Sequence, residues 1–94
     1  MCDNYSIDVS AIEDYIKKVR DKNIKDQIKK KICAVKKNPY IGATKTGLIA
    51  NYRAVKVNRQ KIVILYKIGE KYCIVIFINI GNHDEFYGRT YGKR

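Results

Sequence analysis

The residues best suited to chemistry lie in segment 81–87, which contains the only histidine of the 94-residue chain. An unperturbed imidazole titrates near neutral pH, so His83 can act as a general acid or a general base. The segment follows the apolar run 73–80, which predicts a central strand, with Gly81 where the chain leaves the sheet. We therefore predict that His83 stands at the rim of a rigid sheet, where catalytic groups are commonly placed.

Positive charge dominates the rest of the chain. Lys and Arg number 20 against nine Asp and Glu, which gives a net charge of +11, and no acidic residue occurs between Asp26 and Glu70. Such a one-sided field favours a polyanionic partner, most simply a nucleic-acid backbone. Part of the run 29–31 is expected to be an ordinary solvated helix surface.

Length and cysteine usage indicate one small domain over residues 1–94, with a basic tail at 88–94 that we expect to be flexible. Cys2, Cys33 and Cys73 lie far apart without a Cys-x-x-Cys pair, so we predict neither a zinc site nor a disulfide framework, but buried thiols in a reducing compartment. No acidic or histidine cluster has metal-ligand spacing, so we predict no metal and no cofactor. No apolar run approaches the roughly 20 residues that span a bilayer, so we expect a cytoplasmic protein without membrane contact.

The first half of the chain is predicted to form a strand and a helix. Residues 5–9 alternate polar and apolar types, as half-buried strands do. Ser10 and Glu13 match a capping box, which would start the first helix there. The apolar stripe of this helix, at helical spacing, is Ile12, Tyr15, Ile16 and Val19.

A second helix should follow the break at residues 21–23. Asn23 is its predicted N-cap, and Lys36 and Lys37 would end it favourably at the negative pole of the helix dipole, before Asn38-Pro39. The apolar stripe of this helix is Ile24, Ile28, Ile32 and Val35.

The second half is predicted to be a meander. A loop at 42–47 precedes a strand at 48–57, the turn 58–60 leads to a strand at 61–68, and a turn at 69–70 leads to the final strand. Short links favour antiparallel pairing. We predict an α+β fold of order β-α-α-β-β-β, in which the helical hairpin packs on one face of a small antiparallel sheet.

Three sequence segments within this order resemble the RelE/ParE superfamily of toxins from type II toxin–antitoxin systems. They are Asn51-Tyr52-Arg53, Ile64-Leu65-Tyr66 and, most specifically, residues 80–87. The likeness covers residues 5–87 and is greatest to the YafQ-like branch. It implies an endoribonuclease that cuts mRNA, often on the ribosome, and is held inactive by an antitoxin, which we expect to be acidic.

The resemblance also implies roles for individual residues. Metal-free RNA cleavage needs a base, an acid and cations that stabilise the charged phosphorane. His83 would be the acid, and Tyr87 would stack on a base or position the phosphate. The catalytic cations would be Arg53 and Lys56, which share a face only if a bulge lies between them. The predicted RNA-binding residues are Lys45, Arg59, Lys61 and Arg89.

Some choices stay open at this point. Many RelE-like enzymes have an arginine where this chain has Ile62-Val63, so the general base is not identified, and Lys56 and Lys61 are the nearest substitutes. Tyr87 could instead cap the core, and Tyr66 is expected to lie in it. Two other functions are a ParE-like toxin that inhibits DNA gyrase without need of His83, and a non-enzymatic basic protein that binds RNA or the ribosome.

Overall fold

The computed structural model describes residues 4–44 and 52–82. Its helices are α1 (Glu13–Lys18) and α2 (Lys22–Lys37), with short 3₁₀ helices at Pro39–Ile41 and Glu70–Tyr72. Its strands are β1 (Ser6–Asp8), β2 (Ala43–Thr44), β3 (Arg53–Val57), β4 (Ile62–Gly69) and β5 (Ile74–Asn82). In the described part of the chain no helix is long and apolar enough to cross a membrane.

The five strands form one sheet in the order β1-β5-β4-β3-β2. The predicted α+β fold is confirmed, and β3, β4 and β5 form the expected antiparallel meander. Two details differ from the prediction. Strand β1 pairs in parallel with β5, and residues 43–44, expected in a loop, form the edge strand β2 against β3. The last strand of the described residues therefore lies inside the sheet, between β1 and β4.

Both helix starts differ from the predicted caps. The Ser10 hydroxyl and amide donate to the Asp8 carboxylate at 2.7 and 3.0 Å, so Ser10 serves the preceding turn and α1 begins at Glu13 without a side-chain cap. These bonds, the hydroxyl first, hold the pKa of Asp8 below its usual value. Helix α2 is capped by Asp21, not Asn23, because its carboxylate accepts the Asn23 and Ile24 amides at 2.8 and 3.3 Å. A carboxylate there also suits the positive helix end.

The main core lies between the helices and one face of the sheet. The predicted stripe of α2 is confirmed at Ile28, Ile32 and Val35, which are buried, whereas Ile24 packs at the margin. A smaller cluster on the opposite face contains Ala54, Val63 and Leu65, with Tyr52 packed against it. Alternate residues of β3 thus contribute to different clusters, as the period of a strand requires.

Tyr66 is fully buried in the main core, as predicted, and its ring lies 5.6 Å from that of Phe77 between centroids. Its hydroxyl donates to the Pro39 carbonyl at 2.6 Å and accepts the Gly42 amide at 3.0 Å. Burial raises the pKa of this phenol above its usual value. A Cβ at Gly42 would collide with the hydroxyl, so residue 42 must lack a side chain.

The turn between β3 and β4 is unusual in its backbone. Asn58, Arg59 and Gln60 all have left-handed φ values, of 54, 56 and 70°. The Lys61 amide closes the turn on the Asn58 carbonyl at 3.1 Å. A left-handed conformation costs a residue with a Cβ roughly 1–2 kcal/mol, although asparagine tolerates it better. The predicted turn is confirmed, and neighbouring contacts must hold it in place.

The expectation of buried thiols without disulfides is wrong. Cys33 is an exposed free cysteine, because it follows Ile32 on α2 and points away from the core stripe. Cys73 is disulfide-bonded. It lies before β5, with a left-handed φ of 53°, so the strand begins one residue later than predicted.

Removing the Tyr66 hydroxyl should destabilise the fold. Tyr66→Phe keeps the ring but leaves the Pro39 carbonyl and Gly42 amide without their partner, so we expect the free energy of unfolding to fall by about 1–3 kcal/mol. Equilibrium urea unfolding measures the change. Tyr72→Phe is the control, because Tyr72 is 74% exposed, and should change stability by less than about 0.5 kcal/mol. Equal stability of the two variants would contradict the role of the Tyr66 bonds.

Candidate nucleic-acid interface

Three strand ends meet where the predicted cations concentrate. Val57 at the end of β3 is the partner of Ile62 at the start of β4, and Ile62 is the partner of Asn82 at the end of β5. Arg59 and Lys61 lie in the turn that joins the first two strands, and both are exposed. The described end of β5, at Asn82, therefore lies beside this basic turn.

Four of the predicted site residues, His83, Tyr87, Lys45 and Arg89, lie outside the described residues, as does the tail 88–94. One related expectation is wrong. Gly81 does not mark the exit from the sheet, because β5 continues through it to Asn82 and Gly81 pairs with Val63. A glycine inside a strand has no side chain to pack and weakens the strand locally, but it does not end the pairing here.

A groove of about 470 Å³ runs between helix α2 and the β3–β4 turn. Helix α2 forms one wall with Gln27, Lys30, Lys31 and Ala34, and residues 56–60 form the other. We call this the basic groove, because its lining includes two lysines from the helix, Lys56 and Arg59 from the other wall, and no carboxylate. The Asn58 amide donates to the Gln27 side-chain oxygen at 2.9 Å and links the two walls.

Arg53 lies apart from this groove. The β3–β4 ladder is continuous from Arg53 to Val57 without a bulge, so Arg53 shares a face with Val55 and Val57, whereas Lys56 shares the other with Ala54. Lys56 still lines the groove, because the described pairing on the β2 side of β3 is confined to residues 53–54 and that edge is open beside Lys56. The two predicted catalytic cations therefore do not share a face.

The guanidinium of Arg53 holds the loop after α2. It donates to the Gly42 carbonyl at 2.8 Å and to the Tyr40 carbonyl at 3.4 Å, and lies 5.1 Å from the centroid of the Tyr40 ring. The Tyr40 hydroxyl in turn donates to the Glu70 carboxylate. That bond, followed by one with Tyr5, raises the pKa of Tyr40 well above its usual value.

A second cleft, of about 710 Å³, lies beside this tyrosine at the other end of the sheet. Tyr5, Tyr40, Glu70 and Lys71 are in its lining, so it has mixed charge. Its polar groups bond to one another rather than converging on an empty centre. Within 4–44 and 52–82, no group of three or more His, Cys, Asp and Glu could hold a metal ion.

The sequence interpretation missed the helix wall of the basic groove. Gln27, Lys30, Lys31 and Ala34 recur at spacings of three and four, which places them on one face of α2. This face flanks the apolar stripe and was detectable as a periodic pattern. The sequence pattern could not show that residues 56–60 face this side of α2 and form the opposite wall.

A family model described as "ParE-like toxin of type II bacterial toxin-antitoxin system" matches residues 7–90. The chain belongs to this family. It is a RelE/ParE superfamily toxin, as the three sequence segments predicted. No curated protein matches the toxin sequence.

Solved structures share the fold of the toxin at low identity. The RelBE2 toxin–antitoxin complex of Mycobacterium tuberculosis aligns with a TM-score of 0.71 and 12% identity, over 85% of this chain and 99% of that one. A mutant of E. coli RelE in the free state aligns with a TM-score of 0.65 and 21% identity, over 90% of this chain and 87% of that one. The intact E. coli RelBE toxin–antitoxin complex aligns with a TM-score of 0.65 and 21% identity, over 86% of this chain and 96% of that one. These matches support a RelE-like fold.

Arg53→Lys should weaken the loop after α2 although it keeps the charge. A lysine cannot reproduce the planar fork that contacts two carbonyls and the Tyr40 ring, so we expect a loss of about 1–2 kcal/mol of unfolding free energy. Hydrogen exchange of the Ile41 amide, which bonds to the Asn38 carbonyl, should accelerate. Lys56→Ala on the same strand is the control and should leave both readouts unchanged. A stable, fully protected Arg53→Lys protein would contradict this structural role.

Proposed function

We propose that this toxin is a metal-independent endoribonuclease that cuts mRNA, in the cytoplasm and on the ribosome. The observation that supports it most is the meeting of strand ends described above. Strand β5 ends at Asn82 beside a turn that carries Arg59 and Lys61, and His83 is the next residue. A titratable group that enters beside exposed cations suits reaction at a phosphodiester.

The proposed reaction uses the ribose 2′-OH as nucleophile. A base removes the 2′-OH proton, the 2′ oxygen attacks phosphorus, the bond from phosphorus to the 5′ oxygen breaks, and His83 protonates that oxygen. The products are a 2′,3′-cyclic phosphate and a 5′-OH. Proton transfer by a positioned side chain contributes typically 10²–10⁴-fold in rate.

Cations stabilise the phosphorane in this scheme. Lys56, Arg59 and Lys61 are the described candidates, and Lys56 and Lys61 are also the nearest candidates for the base. Tyr87 would stack on a base of the substrate. Lys45 and Arg89 would add contacts to the RNA backbone. Arg53 would act by fixing the loop after α2, given its contacts with Tyr40 and Gly42.

A second candidate is inhibition of DNA gyrase without nuclease activity. The family description favours it, because the matching model is ParE-like. Such a toxin would use the basic surface for binding and would not need an imidazole at position 83. The two candidates therefore differ in what a single substitution does.

We propose an acidic antitoxin as the partner that holds the toxin inactive. The RelBE2 and RelBE structures are toxin–antitoxin complexes of related fold. A net charge of +11 makes association with an acidic partner fast and salt-dependent. The antitoxin would cover the basic surface at the β3–β4 turn, which bears Lys56, Arg59 and Lys61, or displace the tail that follows Tyr87.

Expression of the toxin without an antitoxin should arrest growth, and His83→Ala should relieve the arrest. The variant loses the acid that protonates the leaving oxygen but no described core contact. Growth curves after induction measure relief, and circular dichroism with thermal unfolding shows whether the variant folds. Asn79→Ala, at an exposed position of β5, is the control and should stay toxic. A folded His83→Ala protein as toxic as wild type would favour gyrase inhibition.

RNA cleavage should persist in excess EDTA and leave a 2′,3′-cyclic phosphate or a 3′-phosphate with a 5′-OH. The expected ends follow from attack by the 2′-OH, so a 2′-O-methyl group at the scissile nucleotide should abolish cutting. Mass spectrometry of the products identifies the ends. Products with a 5′-phosphate, or loss of activity on chelation, would overturn the mechanism while leaving the toxin assignment intact.

A further inference from the structure

Helix α2 presents a polar face that the proposed reaction does not use. Gln27, Lys30 and Lys31 lie on the wall of the basic groove, and the core stripe of Ile28, Ile32 and Val35 lies to one side of it. Helices in small proteins commonly carry solvated lysines, so their presence alone indicates nothing. In this groove, however, Lys30 and Lys31 lie opposite a wall that is also positively charged.

Like charge on two facing walls is unfavourable without a counter-charge between them. Lys30 and Lys31 face a wall that carries Lys56 and Arg59, and the lining has no carboxylate. Asp26 is not among the lining residues, although it lies four positions before Lys30 on α2 and therefore borders the groove at that end. An anion bound between the walls would therefore be attracted by both.

The groove is held open by structure that is already in place. The hydrogen bond of 2.9 Å from the Asn58 amide to the Gln27 side chain fixes the turn to the helix. The three left-handed residues 58–60 keep the chain in one strained conformation there. A preformed site loses little conformational freedom on binding, which favours affinity.

The lining favours a nucleic-acid strand over a peptide. Only Ala34 and Val57 are apolar, and there is no aromatic residue. An antitoxin helix needs pockets for large apolar anchors, and this lining offers none. A phosphodiester backbone needs cations spaced along a channel, which is what the two walls provide.

We propose that the basic groove binds the phosphodiester backbone of single-stranded RNA away from the cleavage point, with Lys30 and Lys31 as phosphate ligands from α2. The groove includes the β3–β4 turn, and this turn lies beside the described end of β5. Taking RNA as the polyanion rests on the proposed function. Binding at the groove can still be measured without any cleavage.

The test compares two pairs of substitutions on the same helix. Lys30→Gln with Lys31→Gln removes the groove lysines, and Lys29→Gln with Lys36→Gln removes two exposed lysines seven residues apart on the opposite side of α2. Each pair lowers the net charge equally. The probe is a fluorescent single-stranded RNA with 2′-O-methyl groups throughout, which cannot be cut by the proposed chemistry. Affinity is measured by anisotropy across a range of salt concentrations, on the full chain.

The groove pair should reduce the slope of log affinity against log salt by about 1.4, since each phosphate contact to a single strand contributes about 0.7. The opposite pair should leave the slope unchanged. Arg59→Gln tests the facing wall independently of the helix and should reduce the slope by about 0.7. Circular dichroism shows that each variant retains the fold.

If the salt slope of RNA binding falls equally in the two lysine pairs, or falls in neither pair, the groove is not an RNA site. A groove pair that binds RNA normally but has lost affinity for the purified antitoxin would overturn it in favour of a protein site. If the slopes change as expected while wild-type toxin cuts no RNA, the groove survives and the nuclease proposal fails. The two proposals thus fail through different measurements.

Discussion

Two hydrogen bonds of the Tyr66 hydroxyl fix where helix α2 ends relative to the sheet. A phenol in the middle of β4 bridges the Pro39 carbonyl and the Gly42 amide, on either side of the first 3₁₀ helix. With that end fixed, the helix lies across β3 and its middle brings Gln27 to the β3–β4 turn. The same helix thus connects the buried tyrosine, which fixes its C-terminal end, with the groove that its residues 27–34 line.

Charge is distributed unequally between the two ends of the sheet. At one end Glu70 binds Tyr40 and the cation of Arg53 lies on that ring, so opposite charges and aromatic groups satisfy one another. At the other end the lining of the basic groove has cations without a carboxylate. Because the cations of the groove lining are not balanced by carboxylates, the surface at the β3–β4 turn attracts polyanions more strongly than the surface around Tyr40 does.

Sequence patterns predicted those features that depend on local periodicity. The stripe of α2 and the buried Tyr66 follow from apolar spacing, and the turn at 58–60 from its polar residues. The cap at Asp21 was missed because Asn23 is an equally good capping type two residues away, and only the realised helix start decides between them. The parallel pairing of Ser6 with Ile74 was missed because edge strands carry little register information.

The candidate site was predicted in part for a related reason. Arg59 and Lys61 lie at a turn that the polar residues 58–60 predict. In an antiparallel meander this turn lies beside the end of β5, as the pairing of Ile62 with Asn82 shows. The groove needs residues 27–34 and 56–60 together, and no local pattern indicates that these segments meet. Likewise, the role of Arg53 depends on Tyr40 and Gly42, which are distant in sequence.

The position of β5 has a consequence for biosynthesis. Of the described strands, the one that lies between β1 and β4 is the last that the ribosome makes, so β1 has no described strand to pair with until residues 74–76 exist. Contacts between distant parts of a chain also form slowly, because a long loop must close first. A nascent chain therefore lacks a complete sheet until β5 has been synthesised. The earlier part of the toxin cannot take up its native five-stranded arrangement before that point, whatever helices it has already formed.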